Sequence, residues 1–577
     1  MTSTSRNAAQ AIAMSLKARG VTTVFALCGG HVMPIWMALA DQGIAIVDVR
    51  DERSAVYMAH ASAAVSGGIG VALVTAGPGV TNAMTGIANA HMSRMPVLVI
   101  SGVPPRPQEG RGALQDMSHV DLVRSITRYA RTVRHAHSVL RELDAAICAA
   151  TGYTGEPGPA FIDFPVDVQR ETVPAAIMAT EQLAGTARPR FQPLADDIGH
   201  VVELIARSQR PLVISGRGAN AAPDALAAFL TAAGAAYLDT GETKGIVAED
   251  HASHVAAMRG LAMKQADLVV TIGRKLDFQL AYGSPAVFGE ARFVRISDVA
   301  QELIDNRHGE AALLGDVGAT LDALTERLSG RELADRSWLA ELRRGHEERS
   351  RKLAASLDAA PVPEDGRINP NRLLGEVRKR LAPDAVVIAD GGDFLSFARV
   401  ALSAQTYLDP GPLGCIGLAT PFAIGAARGA PGRQVVAATG DGAFGFTAIE
   451  IDTAVRHKAP VMIVVSNNGS WAIEVRDQME NFGRVVGTEL QFADYAGMAR
   501  AFGMKAWRIA SHQEIAPALD EAFAALEAGE PVLIDAVTSP LTASSDSKSG
   551  LACVPDHQAL DAWDTAEQVW LGLRAEV

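Results

Sequence analysis

The chain has 577 residues, room for three domains of ordinary size, and its 48% apolar and 20% charged residues suit compact cores rather than a disordered or fibrous chain. With 52 basic against 65 acidic residues the net charge is −13, which argues against a nucleic-acid partner and means any polyanionic ligand must find local cations or a metal. No run approaches the ~18 apolar residues of a membrane span. The opening residues lack the build of a signal peptide, and the scattered Cys28, Cys148, Cys415 and Cys553 show no metal spacing. Buried free thiols and a cytoplasmic location are therefore expected.

An amphipathic helix pattern within residues 1–20 opens the chain, and strand and helix signals then alternate to about residue 180. Thr23–Leu27 is a predicted strand running into Cys28-Gly29-Gly30-His31. Ile44–Val49 is a second, ending at Arg50-Asp51-Glu52-Arg53. Gly70–Thr75 is a third, followed by Ala76-Gly77-Pro78-Gly79-Val80-Thr81-Asn82, and Pro96–Ser101 is a fourth. Each ends in a glycine-rich or polar loop, and in a parallel sheet such loops share the edge where open α/β sheets bind ligands. Taken alone, Glu52 is a first-turn carboxylate favoured by the dipole of the alanine-rich helix that follows.

Residues from about 170 to 195, rich in Ala, Thr and Pro without a sustained apolar period, are predicted as a linker. In a second α/β stretch, 196–345, strands run into glycine turns at Arg210–Gly218 and Asp267–Lys275, and Phe293–Asp298 is a third strand. Gly216, Arg217, Arg274, Lys275 and Asp298 stand at these strand ends, where the cations suit either a phosphate grip or a solvated surface. Residues 346–371 are polar and charged and carry Pro361, Pro363 and Pro370, as a helix end and a linker would.

Ala385–Asp390 opens a third stretch, 366–540, and leads to Gly391-Gly392-Asp393-Phe394, with Pro412-Leu413-Gly414-Cys415-Ile416-Gly417 beyond. Its most informative part is Val435–Glu474. Val435–Ala438 and Val461–Val465 are predicted buried strands, Gly440-Asp441-Gly442 a tight turn, and Ala448–His457 a helix. Strand, helix, strand at this length is a βαβ crossover, so Asp441 and Asn468 leave the same sheet edge. Gly440-x-Gly442-x-x-Gly445 also fits a dinucleotide fingerprint. That motif, however, wants bare backbone at the phosphate and an acid after the second strand, the reverse of what stands here. A carboxylate beside a diphosphate repels it unless a cation lies between. Asp441, Asn468 and a backbone carbonyl offer the hard oxygens of a Mg²⁺-bridged diphosphate site.

Gly440-Asp441-Gly442, 24 intervening residues and Asn467-Asn468 resemble the signature of thiamine diphosphate (ThDP) enzymes. Thr75–Ala90 (TAGPGVTNAMTGIANA) resembles the corresponding loop and helix of acetolactate synthases. The resemblance implies an α/β fold of three doubly wound parallel-sheet domains: a pyrimidine domain (1–180), a middle domain (196–345) and a diphosphate domain (366–540). A tail, 541–577, forms a lid in CoA-using relatives and is otherwise merely structural. By the same resemblance Asp441, Asn468 and the Ser470 carbonyl hold Mg²⁺, Glu52 hydrogen-bonds and protonates the pyrimidine ring, and Ile416 bends the cofactor. The resemblance sets ThDP against Gly30, Glu52, Gly77 and Asn82 of the first domain. From the third it sets Gly391, Gly392, Asp393, Phe394, Gly414, Ile416, Gly440, Asp441, Gly442, Ala443, Asn468, Ser470, Trp471, Ala472 and Ile473 against the cofactor.

His31 and Gln115 fall where benzaldehyde lyase, acetolactate synthase and 2-hydroxyacyl-CoA lyases place active-site polar groups. Near Gln115 there is neither the His-His pair of pyruvate decarboxylases nor the Tyr-Glu pair of oxalyl-CoA decarboxylases, which counts against plain decarboxylation. Glu474 stands where acetolactate synthases are apolar and some bacterial 2-hydroxyacyl-CoA lyases carry Glu; it is expected in apolar company as an acid/base of raised pKa. Arg274-Lys275-Leu276-Asp277-Phe278 stands in place of the Arg-Phe-Asp-Asp pattern of flavin-binding relatives. It favours ADP or a CoA nucleotide over FAD at Gly216, Arg217, Arg274, Lys275 and Asp298. The implied assembly is a homodimer or homotetramer with active sites between subunits. The implied reaction is that of a 2-hydroxyacyl-CoA lyase, which releases formyl-CoA and a ketone or aldehyde. One alternative is an acetolactate-synthase-like or benzaldehyde-lyase-like enzyme using 2-keto acids or hydroxyketones. Another, a non-catalytic binding protein on this fold, is opposed by intact Glu52, Asp441 and Asn468.

Overall fold

The structure, a computed structural model, describes residues 6–178, 189–544 and 568–569. Three separate parallel sheets organise these residues. In spatial order the first is Ala45–Asp48, Thr23–Ala26, Gly70–Val74, Val97–Val103, Ala160–Pro165 and Tyr129–Thr132. The second is Ala236–Leu238, Pro211–Ser215, Leu268–Ile272, Arg292–Ser297 and Ala311–Leu314. The third is Thr406–Leu408, Val386–Asp390, Val435–Gly440, Met462–Asn467, Val532–Val537 and Lys505–Ile509. With strands counted along the chain within each sheet, the first and third share the order 2-1-3-4-6-5, and the second has 2-1-3-4-5. The outer two are thus one doubly wound design used twice.

The central strands are apolar throughout because helices cover both faces of a parallel sheet. All residues of Gly70–Val74, Val386–Asp390 and Met462–Asn467 are buried. Capping sets the helix starts: Asn7 and Gln10 form a capping box, and Asp51 accepts the Arg53 N–H ahead of Glu52–Ser66. That helix stops at Gly67, which is left-handed at φ 70°.

The helix Glu52–Ser66 packs on Ala419–Gly429 so closely that only glycine fits. A Cβ on Gly425 would lie 2.2 Å from the Met58 carbonyl oxygen, and one on Gly429 2.6 Å from that of Ser62. One apolar core consequently runs from Phe25 and Val56 of the first sheet layer through Phe422 to Val465 of the third. Among the described residues no helix is long and apolar enough to cross a membrane.

Several expectations change. Gly440-Asp441-Gly442 is no free turn: Asp441–Gly445 forms a helical turn directly after the strand, and the following helix is Glu450–Arg456 rather than Ala448–His457. Residues 170–195 are not linker from the start, since Thr172–Val173 pairs antiparallel with Arg6–Asn7 and Ala175–Met178 is helical. Cys28 is exposed, against the expectation of buried thiols, because it has left the strand for the sheet edge. The expected lid, 541–577, lies outside the described residues except for 541–544 and 568–569.

Candidate active site

A sheet ordered 2-1-3 opens a crevice beyond the carboxyl ends of strands 1 and 3, where the chain winds off in opposite directions. In the first sheet these are Thr23–Ala26 and Gly70–Val74, whose outgoing loops carry His31 and Gly77. In the third they are Val386–Asp390 and Val435–Gly440, leading to Gly391-Gly392 and to Asp441. In the second they lead to Gly216-Arg217 and Gly273-Arg274. Glu52, Gln115, Asn468 and Asp298, in contrast, leave neighbouring strands on the same edges.

At the third-sheet crevice Asp441 is 2% exposed, and its carboxylate accepts the Gly469 N–H at 2.8 Å. Burial pushes its pKa up to about 6, outweighing the backbone N–H groups of Gly469 and Gly442 that favour the charged form. Asn468 is turned into the same loop, its Oδ1 accepting the Ser470 N–H at 3.1 Å. Asn467, in contrast, is structural: it donates to the Ala493 carbonyl and to Asp535. A buried, poorly compensated carboxylate beside an amide oxygen and a loop carbonyl is a hard-oxygen donor set, and it fits Mg²⁺. Nearby glycines let the side chains that follow the metal loop pack against the backbone. A Cβ on Gly442 would meet the Trp471 ring at 2.6 Å, and one on Gly392 the Ile473 side chain at 2.7 Å. Ile416 is half-buried between Gly414 and Gly417, at φ 68° and 82°. Asp390, unnoticed in the sequence, holds this loop: fully buried, it accepts the N–H groups of Gly417 (3.1 Å) and Ala419 (2.9 Å). Its pKa is pushed up to about 6 by burial. A lone acid closing a buried strand before Gly-Gly was the available signal.

At the first-sheet crevice Glu52 is 5% exposed and its Oε2 accepts from Asn82 at 3.1 Å. Its other oxygen lies in ordinary contact range, 3.5 Å, of where a Cβ on Gly79 would stand. His31 is half-buried; desolvation lowers its pKa, against a hydrogen bond with the Gln115 side chain. Gln115 has a left-handed φ of 63° and lies on the bare face of Gly77, where a Cβ would approach Gln115 Cβ to 2.8 Å. His31, Gln115, Gly77, Asn82 and Glu52 therefore meet around one crevice. Arg50 and Arg53, flanking Glu52, reach the third domain: the Arg50 N–H donates to Glu450 and Arg53 to the Phe446 carbonyl. Gly30 opens a 3-10 turn, Phe394 and Ala443 lie in the first turns of the helices Asp393–Ala401 and Asp441–Gly445, and Trp471 and Ala472 stand at the start of Ala472–Phe482.

Glu474 differs from expectation. It sits on the first turn of Ala472–Phe482, a helix of which only Ala472 is buried, and is itself exposed. The described residues of one chain form no apolar enclosure for it, because the outer face of this helix has nothing packed on it. Met479 is 52% and Phe482 70% exposed there.

At the middle crevice the cations already have partners. Arg274 is wholly buried and pairs with Glu242 (3.0 Å) and Asp277 (2.7 Å). Arg217 faces Asp298 (3.5 Å), Lys275 pairs with Glu156 (2.7 Å), and Arg94 bridges Glu242 (2.7 Å) and Glu302. Burial alone would raise the Glu242 pKa, but Arg94 and Arg274 hold it far below the carboxylate range. With Arg128 on Glu156, five cations face five carboxylates. Arg94, Arg128 and Glu156 come from the first domain, so the cluster joins two domains. It leaves no net positive charge for a diphosphate, and as arranged these residues do not fit ADP.

Comparison with known proteins agrees with this geometry. Residues 6–122 match the model of the thiamine pyrophosphate enzyme N-terminal TPP binding domain, 198–324 that of the central domain, and 390–536 that of the C-terminal TPP binding domain. The chain is 32% identical to human 2-hydroxyacyl-CoA lyase 2, over 92% of this chain and 90% of that protein. It is 31% identical to 2-hydroxyacyl-CoA lyase 2 of Caenorhabditis elegans, over 94% and 91%. An acetolactate synthase large subunit of Mycobacterium tuberculosis is 33% identical, over 93% and 96%.

Proposed function

Because the chain belongs to the thiamine pyrophosphate enzymes, we propose that it is a Mg²⁺-dependent carbon–carbon lyase cleaving 2-hydroxyacyl-CoA to formyl-CoA and a ketone or aldehyde. ThDP, when bound, supplies the nucleophile that adds to a carbonyl carbon and the electron sink that lets the adjacent C–C bond break. Glu52, buried and oriented by Asn82, holds a proton at the pyrimidine ring. Asp441, Asn468 and the Ser470 carbonyl hold the metal that neutralises the diphosphate. His31 and Gln115 orient the substrate oxygen atoms.

The observation that supports the CoA-ester reading is Glu474, an exposed carboxylate on the first turn of the helix after the metal loop, which on this reading takes the substrate hydroxyl proton as the bond breaks. On this reading a second copy of the chain covers Glu474, which the described residues of one chain leave exposed. Supporting this, exposed apolar side chains flank both halves of the site: Met33 and Met37 after His31, Phe446 and Ile449 after Asp441. The competing reading, an acetolactate-synthase-like enzyme on 2-keto acids, is favoured by the Thr75–Ala90 stretch and by comparable identity to such an enzyme. The two separate when purified protein with ThDP and Mg²⁺ is offered formyl-CoA plus a ketone or aldehyde, the reverse cleavage, and pyruvate. CoA-ester turnover with pyruvate inert is expected; acetolactate formation overturns the proposal.

A further inference from the structure

Behind the crevice that holds His31 and Gln115 lies a buried histidine that no step above uses. We propose that His119 is a positioning residue: anchored by Asp163, it accepts the Gly77 N–H and thereby fixes the turn on which Gln115 rests. The inference rests on the reading that a carbonyl substrate meets ThDP beside His31 and Gln115.

His119 and Asp163 are each 1% exposed. Nε2 of His119 lies 2.8 Å from the Gly77 nitrogen, and Nδ1 lies 3.1 Å from Asp163 Oδ2. A backbone N–H only donates, so Nε2 is the bare nitrogen and the proton sits on Nδ1, donated to the carboxylate. The ring also meets Phe161 edge to face at 6.3 Å, which fixes its plane. What it fixes in turn is unusual backbone. Gly77 has φ 62° and ψ −112°, and Gln115, packed on it, is a non-glycine residue at φ 63°. A left-handed glutamine persists only where its surroundings hold it.

The same strand and the short helix after it also hold the other half of the pair. Gln169, fully buried, donates to the His31 carbonyl at 2.7 Å. The stretch from Ala160 to Arg170 thus sets His31 through Gln169 and Gln115 through Asp163, His119 and Gly77. Glu52 is reached less directly. Gly77 is the N-cap of the helix Pro78–Met92, which carries Asn82, the partner of Glu52, but that helix is also anchored by its own buried Val80, Ala83, Ile87 and Ala90. His119 therefore acts on substrate placement more than on cofactor activation.

Two polar variants separate the two ring nitrogens. His119→Asn keeps an atom at the Nδ1 position for Asp163 but is too short for Gly77, whereas His119→Gln keeps an acceptor at the Nε2 position. Three quantities are measured: ThDP affinity, exchange of the ThDP C2 proton into D₂O without substrate, and steady-state turnover of whichever carbonyl donor the parent accepts. A wrong substrate assignment thus leaves the test intact, and absent exchange in the parent marks failure of the cofactor reading instead. We expect H119N to bind ThDP and exchange C2–H within about twofold of the parent, while kcat falls at least ~tenfold and KM moves less than ~threefold. Misplacement on the order of 1 Å carries such a cost. H119Q should recover kcat to within ~threefold. If H119N does not fold, His119→Leu, which loses both bonds, takes its place with the same expectation. Unchanged kcat in H119N overturns the proposal, as does parallel loss of ThDP affinity, exchange and turnover in both variants, which marks a purely structural histidine.

Discussion

At the scale of single residues, the chemistry rests on two buried carboxylates with different tasks. Glu52 stands at a helix start with one amide partner and faces the first crevice. Its substitution by Gln keeps the shape and the contact with Asn82 but removes the transferable proton. Turnover in Glu52→Gln should fall at least ~10²-fold with ThDP binding intact, as measured by kinetics and calorimetry on the same preparation; near-normal turnover would leave Glu52 a helix-start residue. Asp441 is raised to about 6 by burial while no cation is present. Below that pH a proton occupies the carboxylate and must leave before Mg²⁺ binds. Apparent Mg²⁺ affinity should therefore be flat above pH about 6 and fall roughly tenfold per unit below it. A titration series across pH 5–8 showing no such break would mean that Asp441 is not a ligand.

Elements explain why some of this was legible and some was not. Strands buried on both faces print as unbroken apolar runs, so Val386–Asp390, Val435–Gly440 and Met462–Asn467 could be read directly, with Asp441 and Asn468 at their ends. The edge strands Tyr129–Thr132 and Lys505–Ile509, partly exposed and interrupted by charge, carry no such run and were missed, and so were the buried Ala160–Pro165 and Val532–Val537, each of whose runs an aspartate interrupts. His119, Asp163 and Gln169 escaped for another reason: each matters through a partner distant in sequence, a signal absent from local pattern. Glu474 was given an apolar pocket from its neighbours in sequence, yet the described residues of one chain leave it exposed. The fit of Glu52–Ser66 on Ala419–Gly429 yields its own test. Gly425→Val drives a side chain into the Met58 carbonyl, and overpacking of this kind costs about 1–3 kcal/mol. Scanning calorimetry should show a clearly lowered melting temperature, whereas Gly260→Ala, with nothing within 4 Å of its added carbon, should not. Equal melting temperatures would remove this helix pair from the features that hold the first and third domains together.

At the scale of the whole molecule, one doubly wound design occurs twice, with a third sheet between the copies in sequence. The first copy offers Glu52, His31 and Gln115 at its crevice, the third sheet offers Asp441 and Asn468, and the middle crevice is closed by balanced charge. On the proposed function neither outer crevice is complete alone: Glu52 of one is assigned to the pyrimidine ring, and the Asp441 and Asn468 oxygens of the other to a metal for the diphosphate. The central claim is that these halves bind one cofactor through a divalent cation. Isothermal titration of ThDP into the metal-free protein, with and without Mg²⁺, tests it most directly. The account predicts one ThDP per chain, bound only when Mg²⁺ is present, and no binding in Asp441→Ala under the same conditions. ThDP bound equally well without the cation, or by Asp441→Ala with unchanged affinity, would contradict it.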